Sequence, residues 1–375
     1  MSMSMSMLRG FTLLCLWLSL RGNEMSASAA DSQPEASSVA ATDSIGSSDE
    51  NSCWVFTHLQ KCGGETVKGI LELRWGVRFR IYDTILWQSG EETARRFQEK
   101  GGNLWKVAAG GYTEALRKVS TADTAAAEAG AGAGAACKFF TLIRHPISRM
   151  VSAYFYCHVY EGDPACGSEI VRAREVDLLT FARHWSNFGL RQFALNFVSA
   201  DDVMAYMRTP EAMALLPEGI EKLGRMPSWY LVKLYLERPQ AHVSEPSVET
   251  VTATSADQRG AEQEGQLPDA QMYGMLEPVQ DLFRNDFVAV GVLEEWNTTL
   301  ALFDKALEMP DINWHEKFKA QGAMNVFKRM EKEKAETLQK AWTDPELKKY
   351  MWLDLLLYEH AVDVFHEQVS HYGLS

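Results

Sequence analysis

Long apolar runs are few in this sequence. The apolar run inside "LRGFTLLCLWLSL", residues 8–20, is about ten residues long, too short to cross a bilayer comfortably. With Arg9 ahead of it and an Ala27-x-Ala29 pattern behind, it reads as a secretory signal peptide. A short type II signal anchor is the alternative, and an unstructured cytosolic N-terminus the third. Positive charge is also scarce: a net charge of −13 excludes a general nucleic-acid binder, because affinity for a phosphate backbone comes from Lys and Arg in excess. A local basic pocket stays open.

Several chemical signatures are absent as well. The chain has no G-x-x-x-x-G-K-[ST] loop, no His-Glu-x-x-His and no Cys-x-x-Cys pair, so nothing implies a metal. His360 and His366 read as helix-surface residues rather than zinc ligands. Gly130, Gly132 and Gly134 imitate dinucleotide-loop spacing, but an Ala-rich tract precedes them and a strand follows, which is the wrong order. Cysteine is sparse at six, yet Cys157 and Cys166 bracket "HVYEGDPA", a Gly/Asp/Pro loop that a disulfide would close in an oxidising compartment. Two free thiols are the other reading. Asn297-Thr298-Thr299 is a glycosylation sequon, which matters only for a secreted chain.

Apolar residues are plentiful: 46% of the 375 positions, with 11 Trp and 17 Phe, can bury a sizeable core. The expected organisation is a signal peptide or anchor over 1–29, a disordered stem over 30–52 and a folded domain over 53–372. Low-complexity inserts at 120–136 and 238–270 interrupt it. Within the domain, "CWVFTHL" (53–59), "KFFTLI" (138–143) and "DFVAVGVLEE" (286–295) read as strands. Helical spacing follows each, in "ETVKGILELRW" (65–75), "PISRMVSAYFYCHVY" (146–160) and "WNTTLALFDKAL" (296–307). Two long C-terminal helices close the chain, over 325–342 and 344–369, the second with an apolar face through Met351, Leu355, Tyr358, Val362 and Phe365. Strand, turn and helix in alternation is the α/β signature.

Two strand–turn–helix units carry anion chemistry. "VFTHLQKCGGETVKGIL" (55–71) ends a strand, tightens at Lys61-Cys62-Gly63-Gly64 and opens a helix, aiming backbone N–H groups, a helix dipole and an ammonium at one spot. In "FFTLIRHPISRMVSAYFY" (139–156), Arg144 leaves a strand and Ser152 lies about two turns along the next helix. Together they can grip one phosphate. Two such units point to a ligand with two separated phosphate groups.

These stretches resemble a known family. "FTHLQKCGGETV" is similar to the 5′-phosphosulfate loop, and "LIRHPISRMVSAYFY" to the 3′-phosphate segment, of Golgi-type carbohydrate sulfotransferases, nearest in flavour to the heparan sulfate O-sulfotransferases. "FVAVGVLEEWNTTLALFDKAL" and "WLDLLLYEHAVDVF" resemble later family segments, so the likeness covers most of 53–370 outside the inserts. It implies a P-loop-like three-layer α/β fold, a central parallel sheet flanked by helices. It also implies transfer of a sulfuryl group from 3′-phosphoadenosine 5′-phosphosulfate (PAPS) to a glycan or glycoconjugate hydroxyl, without a metal, in the Golgi lumen or after secretion. Oligomeric state stays open.

By the same likeness Lys61, Cys62, Gly63, Gly64, Glu65 and Thr66 would form the 5′ cradle. Lys61 would also neutralise the bridging oxygen as sulfur leaves, while Arg144 and Ser152 would hold the 3′-phosphate. "NFGLRQFAL" resembles a stretch near the adenosine, which makes Arg191 a candidate. Glu65 stands where the family places a hydroxyl, a role that Thr66 can supply. "KVAAGGYTEALRK" (106–118) resembles the segment that carries a basic His in one branch, but Ala109 stands near that place. Glu114 is the substitute for the general base, with His58 and Glu65 behind it. A catalytically inactive nucleotide- or glycan-binding member and a P-loop nucleotide kinase are the competing readings.

Overall fold

Three uniformly apolar segments make the core of the sheet because strands of a parallel sheet are covered on both faces. The computed structural model describes residues 54–75, 79–81, 107–110, 137–163, 166–167, 170–194, 197–198, 200–216, 228–238, 270–309, 312–321 and 330–374. Its strands are β1 (Trp54–Thr57), β2 (Phe79–Ile81), β3 (Val107–Gly110), β4 (Lys138–Ile143) and β5 (Phe287–Val292). All pairings are parallel, in the order β2-β3-β1-β4-β5. The chain is therefore α/β. β1 lies in the middle, with Phe56 opposite Ala109 of β3 on one side and Phe140 of β4 on the other.

That order sets the site. After β1 the chain goes to the β2 edge and returns inward through β3, and after β4 it goes to β5 on the other side, so the carboxyl ends of β1 and β4 flank a point where the winding direction reverses. Such points leave a crevice beyond the strand ends. Both stretches expected to bind anions leave from there: α1 (Gly64–Trp75) follows β1, and α2 (Pro146–Val159) follows β4.

The remaining described helices are α3 (Leu178–Trp185), α4 (Phe188–Ala194), α5 (Ala200–Tyr206), α6 (Pro210–Met213), α7 (Ser228–Leu236), α8 (Ala270–Gly274) and α9 (Leu276–Asn285). After β5 come a 3-10 turn (Leu293–Glu295), α10 (Trp296–Leu307), α11 (Trp314–Gln321), α12 (Glu331–Thr343), α13 (Pro345–Tyr350) and α14 (Trp352–His371). None of these is both long and apolar enough to cross a membrane. The expected N-terminal leader, the stem, both inserts and Glu114 lie outside the described residues. Cys157 and Cys166 form the anticipated disulfide, with Cα atoms 5.4 Å apart, and Cys137 is disulfide-bonded too. In the sequon, the Thr299 hydroxyl is buried and exchanges hydrogen bonds with the backbone of Val292.

One expectation needs correction. Residues 344–369 do not form a single helix, because Met351 leaves helical geometry (φ −111°, ψ 9°) between α13 and α14. The cause is a distant cap. Asn187 Oδ1 accepts the N–H groups of Leu353 (3.1 Å) and Asp354 (3.2 Å), which satisfies the first turn of a new helix. The inward face differs as well. Leu353, Asp354, Leu357, Ala361, Val364 and Phe365 are buried, whereas Leu355, Tyr358 and Val362 only flank the core.

Asp354 accounts for that rotation. Its carboxylate accepts from Arg149 Nη2 at 2.7 Å, and from the N–H groups of Gly189 (3.0 Å) and Leu190 (2.8 Å) at the start of α4. Arg149 and Asp354 are 1% and 3% exposed, so neither can fall back on water. Asp354→Ala would strand a buried guanidinium and is expected to cost roughly 3–5 kcal/mol. Urea unfolding measures this; Arg149→Met with Asp354→Leu should lose far less than the single variant.

Candidate functional site

The bend after β1 is tight because its residues adopt backbone geometry few side chains tolerate. Gly63 has φ +83° and Lys61 itself φ +64°, a left-handed conformation that costs a non-glycine residue about 1–2 kcal/mol. A Cβ on Gly64 would stand 1.9 Å from Cδ2 of His58, and one on Gly63 would stand 2.9 Å from a Leu293 methyl. Only glycine fits the close approach at Gly64. Gly63 O then accepts Thr66 N at 3.0 Å and starts α1, whose first-turn N–H groups face the bend.

Arg144 closes the crevice from the neighbouring strand. Its Nη1 donates to the Lys61 carbonyl at 3.2 Å, joining the two strand–turn–helix stretches directly. Further along α2, Ser152 Oγ accepts from Lys334 Nζ of α12 at 3.4 Å. At the head of α2, Glu294 accepts the His145 N–H at 3.0 Å and the Tyr358 hydroxyl at 3.2 Å, which fixes where Arg144 leaves the strand.

Three cations therefore share one neighbourhood. Burial, then the charge of Lys334, pushes the Lys61 pKa down to about 8; Arg144 adds to this, against Asp163 and Glu65. Burial and then Arg144 lower Lys334 too, with Glu331 opposing. Burial lowers Arg144, with Cys62 and Glu294 opposing and Arg149 adding to it. The mutual repulsion means that an anion entering here would relieve stress already present.

Other expected residues have quieter places. Glu65 pairs with the buried Lys68, and its own side chain is 46% exposed. Thr66 is buried. The Cys62 thiol is buried and pushed up to about 12, which keeps it protonated under the bend. Burial first, then Lys68 and Lys61, holds His58 neutral, its pKa down to about 3. Ala109 lies in β3, between Phe56 and Arg80 of the flanking strands. Arg191 is fully buried in α4 and donates to the carbonyls of Asn187 and His184. His360 and His366 have separate partners, Gln280 O and Glu295. Among the described residues no group of three His, Cys, Asp or Glu converges as metal ligands would.

Lys334 was not anticipated. It stands in "RMEKEKAETLQK", whose mixed charges describe a solvated helix, and only the packing of α12 on α2 brings it to Ser152. Comparisons with family models and with curated proteins give no match for this chain.

With Lys61 charged below pH 8 and neutral above, affinity for a multivalent anion such as pyrophosphate is expected to fall as pH rises through about 8. The bound anion raises the Lys61 pKa, so binding above pH 8 should take up protons. Calorimetry in buffers of different ionisation enthalpy reads both effects.

Proposed function

We propose that the chain is a PAPS-dependent carbohydrate sulfotransferase with a P-loop-like three-layer fold. The all-parallel order β2-β3-β1-β4-β5, with a glycine bend and helix after its central strand, supports that architecture. The observation that carries the reading is the hydrogen bond from Arg144 to the Lys61 carbonyl. It supports one ligand spanning both stretches, the phosphosulfate at Lys61, Gly63, Gly64 and Thr66, and the 3′-phosphate at Arg144, Ser152 and Lys334.

Transfer then proceeds by in-line displacement. An acceptor hydroxyl oxygen bonds to sulfur as the bond from sulfur to the bridging oxygen breaks, and adenosine 3′,5′-bisphosphate (PAP) departs. Lys61 meets the charge gathering on the bridging oxygen, where an ammonium counts most in the transition state. The acceptor's proton passes to a base, for which Glu114 is the proposed group. The acceptor class is a glycan or glycoconjugate, and the disulfide-bonded Cys137, Cys157 and Cys166 suit the lumen of the secretory pathway.

A second reading has one specific support: Ala109 occupies the place where the resemblance expects a basic His. An inactive member of the fold would bind PAP or a glycan without turnover.

Labelled PAPS offered with a panel of glycan acceptors separates the two. Wild type is expected to transfer label to at least one acceptor, and Lys61→Ala and Arg144→Ala to lose at least about a hundredfold in kcat/KM with the fold intact. Full activity in both variants would remove the donor site from this cleft; PAP binding without transfer favours the inactive member.

A further inference from the structure

The Lys61 side chain rests on a partner that the donor reading does not use. Its Nζ lies 3.4 Å from the centroid of the Tyr156 ring, a cation–π contact. Tyr156 follows Ser152 by about one turn of α2, so it shares the face that meets the crevice. Its hydroxyl donates to Asp163 Oδ2 at 2.5 Å.

Asp163 is itself held. It lies inside the loop closed by Cys157–Cys166, and two turn bonds fold that loop, Asp163 N to Tyr160 O and Cys166 N to Asp163 O, both 2.8 Å. The disulfide starts at the residue after Tyr156. A covalent staple, a carboxylate and a ring thus form a chain of contacts ending at one ammonium.

We propose that Tyr156, oriented by Asp163 from the disulfide-closed loop, is a positioning residue that keeps the Lys61 ammonium placed for the leaving oxygen of the phosphosulfate. The proposal rests on the donor reading above. A lysine stem is flexible, and fixing it before the donor arrives removes a cost that would otherwise fall on the reacting complex. An aromatic ring is well suited to hold it, since it attracts the cation without a formal charge that would repel the donor.

Charged and titratable groups face Lys61 from every side: His58 at the end of β1, Glu65 on α1, Arg144 after β4, Lys334 on α12 and Asp163 on the loop. Asp163 favours the charged lysine. Its removal therefore lowers the pH at which Lys61 discharges.

The test uses the full chain with lysine labelled at 13Cε, the Lys61 signal being the one lost in Lys61→Arg. That signal is expected to carry a ring-current shift that Tyr156→Phe keeps and Tyr156→Leu abolishes, and to titrate at lower pH in Asp163→Asn. In transfer assays Tyr156→Leu and Asp163→Asn should lower kcat about tenfold, with KM for PAPS changing less than about threefold. A Lys61 signal indifferent to Tyr156→Leu, or unchanged kcat in both variants, overturns the proposal. A wild-type chain that fails to bind PAP instead removes the donor reading, and the Lys61 signal still decides whether Tyr156 holds the ammonium.

Discussion

Burial of three neighbouring cations, Lys61, Arg144 and Lys334, is the constraint around which the rest of the site is arranged. Each is withdrawn from water to a degree that lowers its pKa, and each is a neighbour of another cation. Such an arrangement opposes folding unless well-packed elements impose it. The strands impose two of the three, since β1 and β4 are adjacent and parallel and deliver Lys61 and Arg144 to the same edge. The third arrives on α12. Positive charge is thus concentrated beyond the strand ends of a protein whose net charge is negative.

The elements that impose this are tied together at depth. Arg149 on α2 and Asp354 on α14 form a buried pair, Asp354 also caps α4, and Asn187, just before α4, caps α14 in return. Asn187 has φ +48°, a conformation asparagine tolerates better than most residues. Because α2 carries Arg149 towards the core, Ser152 to Lys334 and Tyr156 to Lys61, the same helix that is locked inside also meets two of the three cations. Misplacing α14 would therefore shift the site without touching it.

Much of this was legible from residue order. "KFFTLI" and "WNTTLALFDKAL" coincide with β4 and α10 because each is an unbroken apolar or periodic run with a clear stop. The meeting of the Lys61 bend with Arg144 was legible because each sits on a strand–turn–helix unit and the two strands are neighbours. What the sequence could not show came from distant pairs. Lys334 meets Ser152 across 182 residues, and the break at Met351 depends on Asn187, far back in the chain. The inward turn of Asp354 was hidden for the same reason: a carboxylate in an apolar helix gives no sign of the arginine it will meet. Arg191 carries a different lesson, since the sequence gives no sign of the carbonyls of Asn187 and His184 to which its buried guanidinium donates.

The central claim is that a single crevice holds two phosphate groups of one ligand. Calorimetric affinities of PAP and 5′-AMP for wild type and for Arg144→Ala test it most directly. The account expects loss of the 3′-phosphate to weaken binding more than about tenfold in wild type and hardly at all in Arg144→Ala. Equal affinity of wild type for the two nucleotides would contradict it.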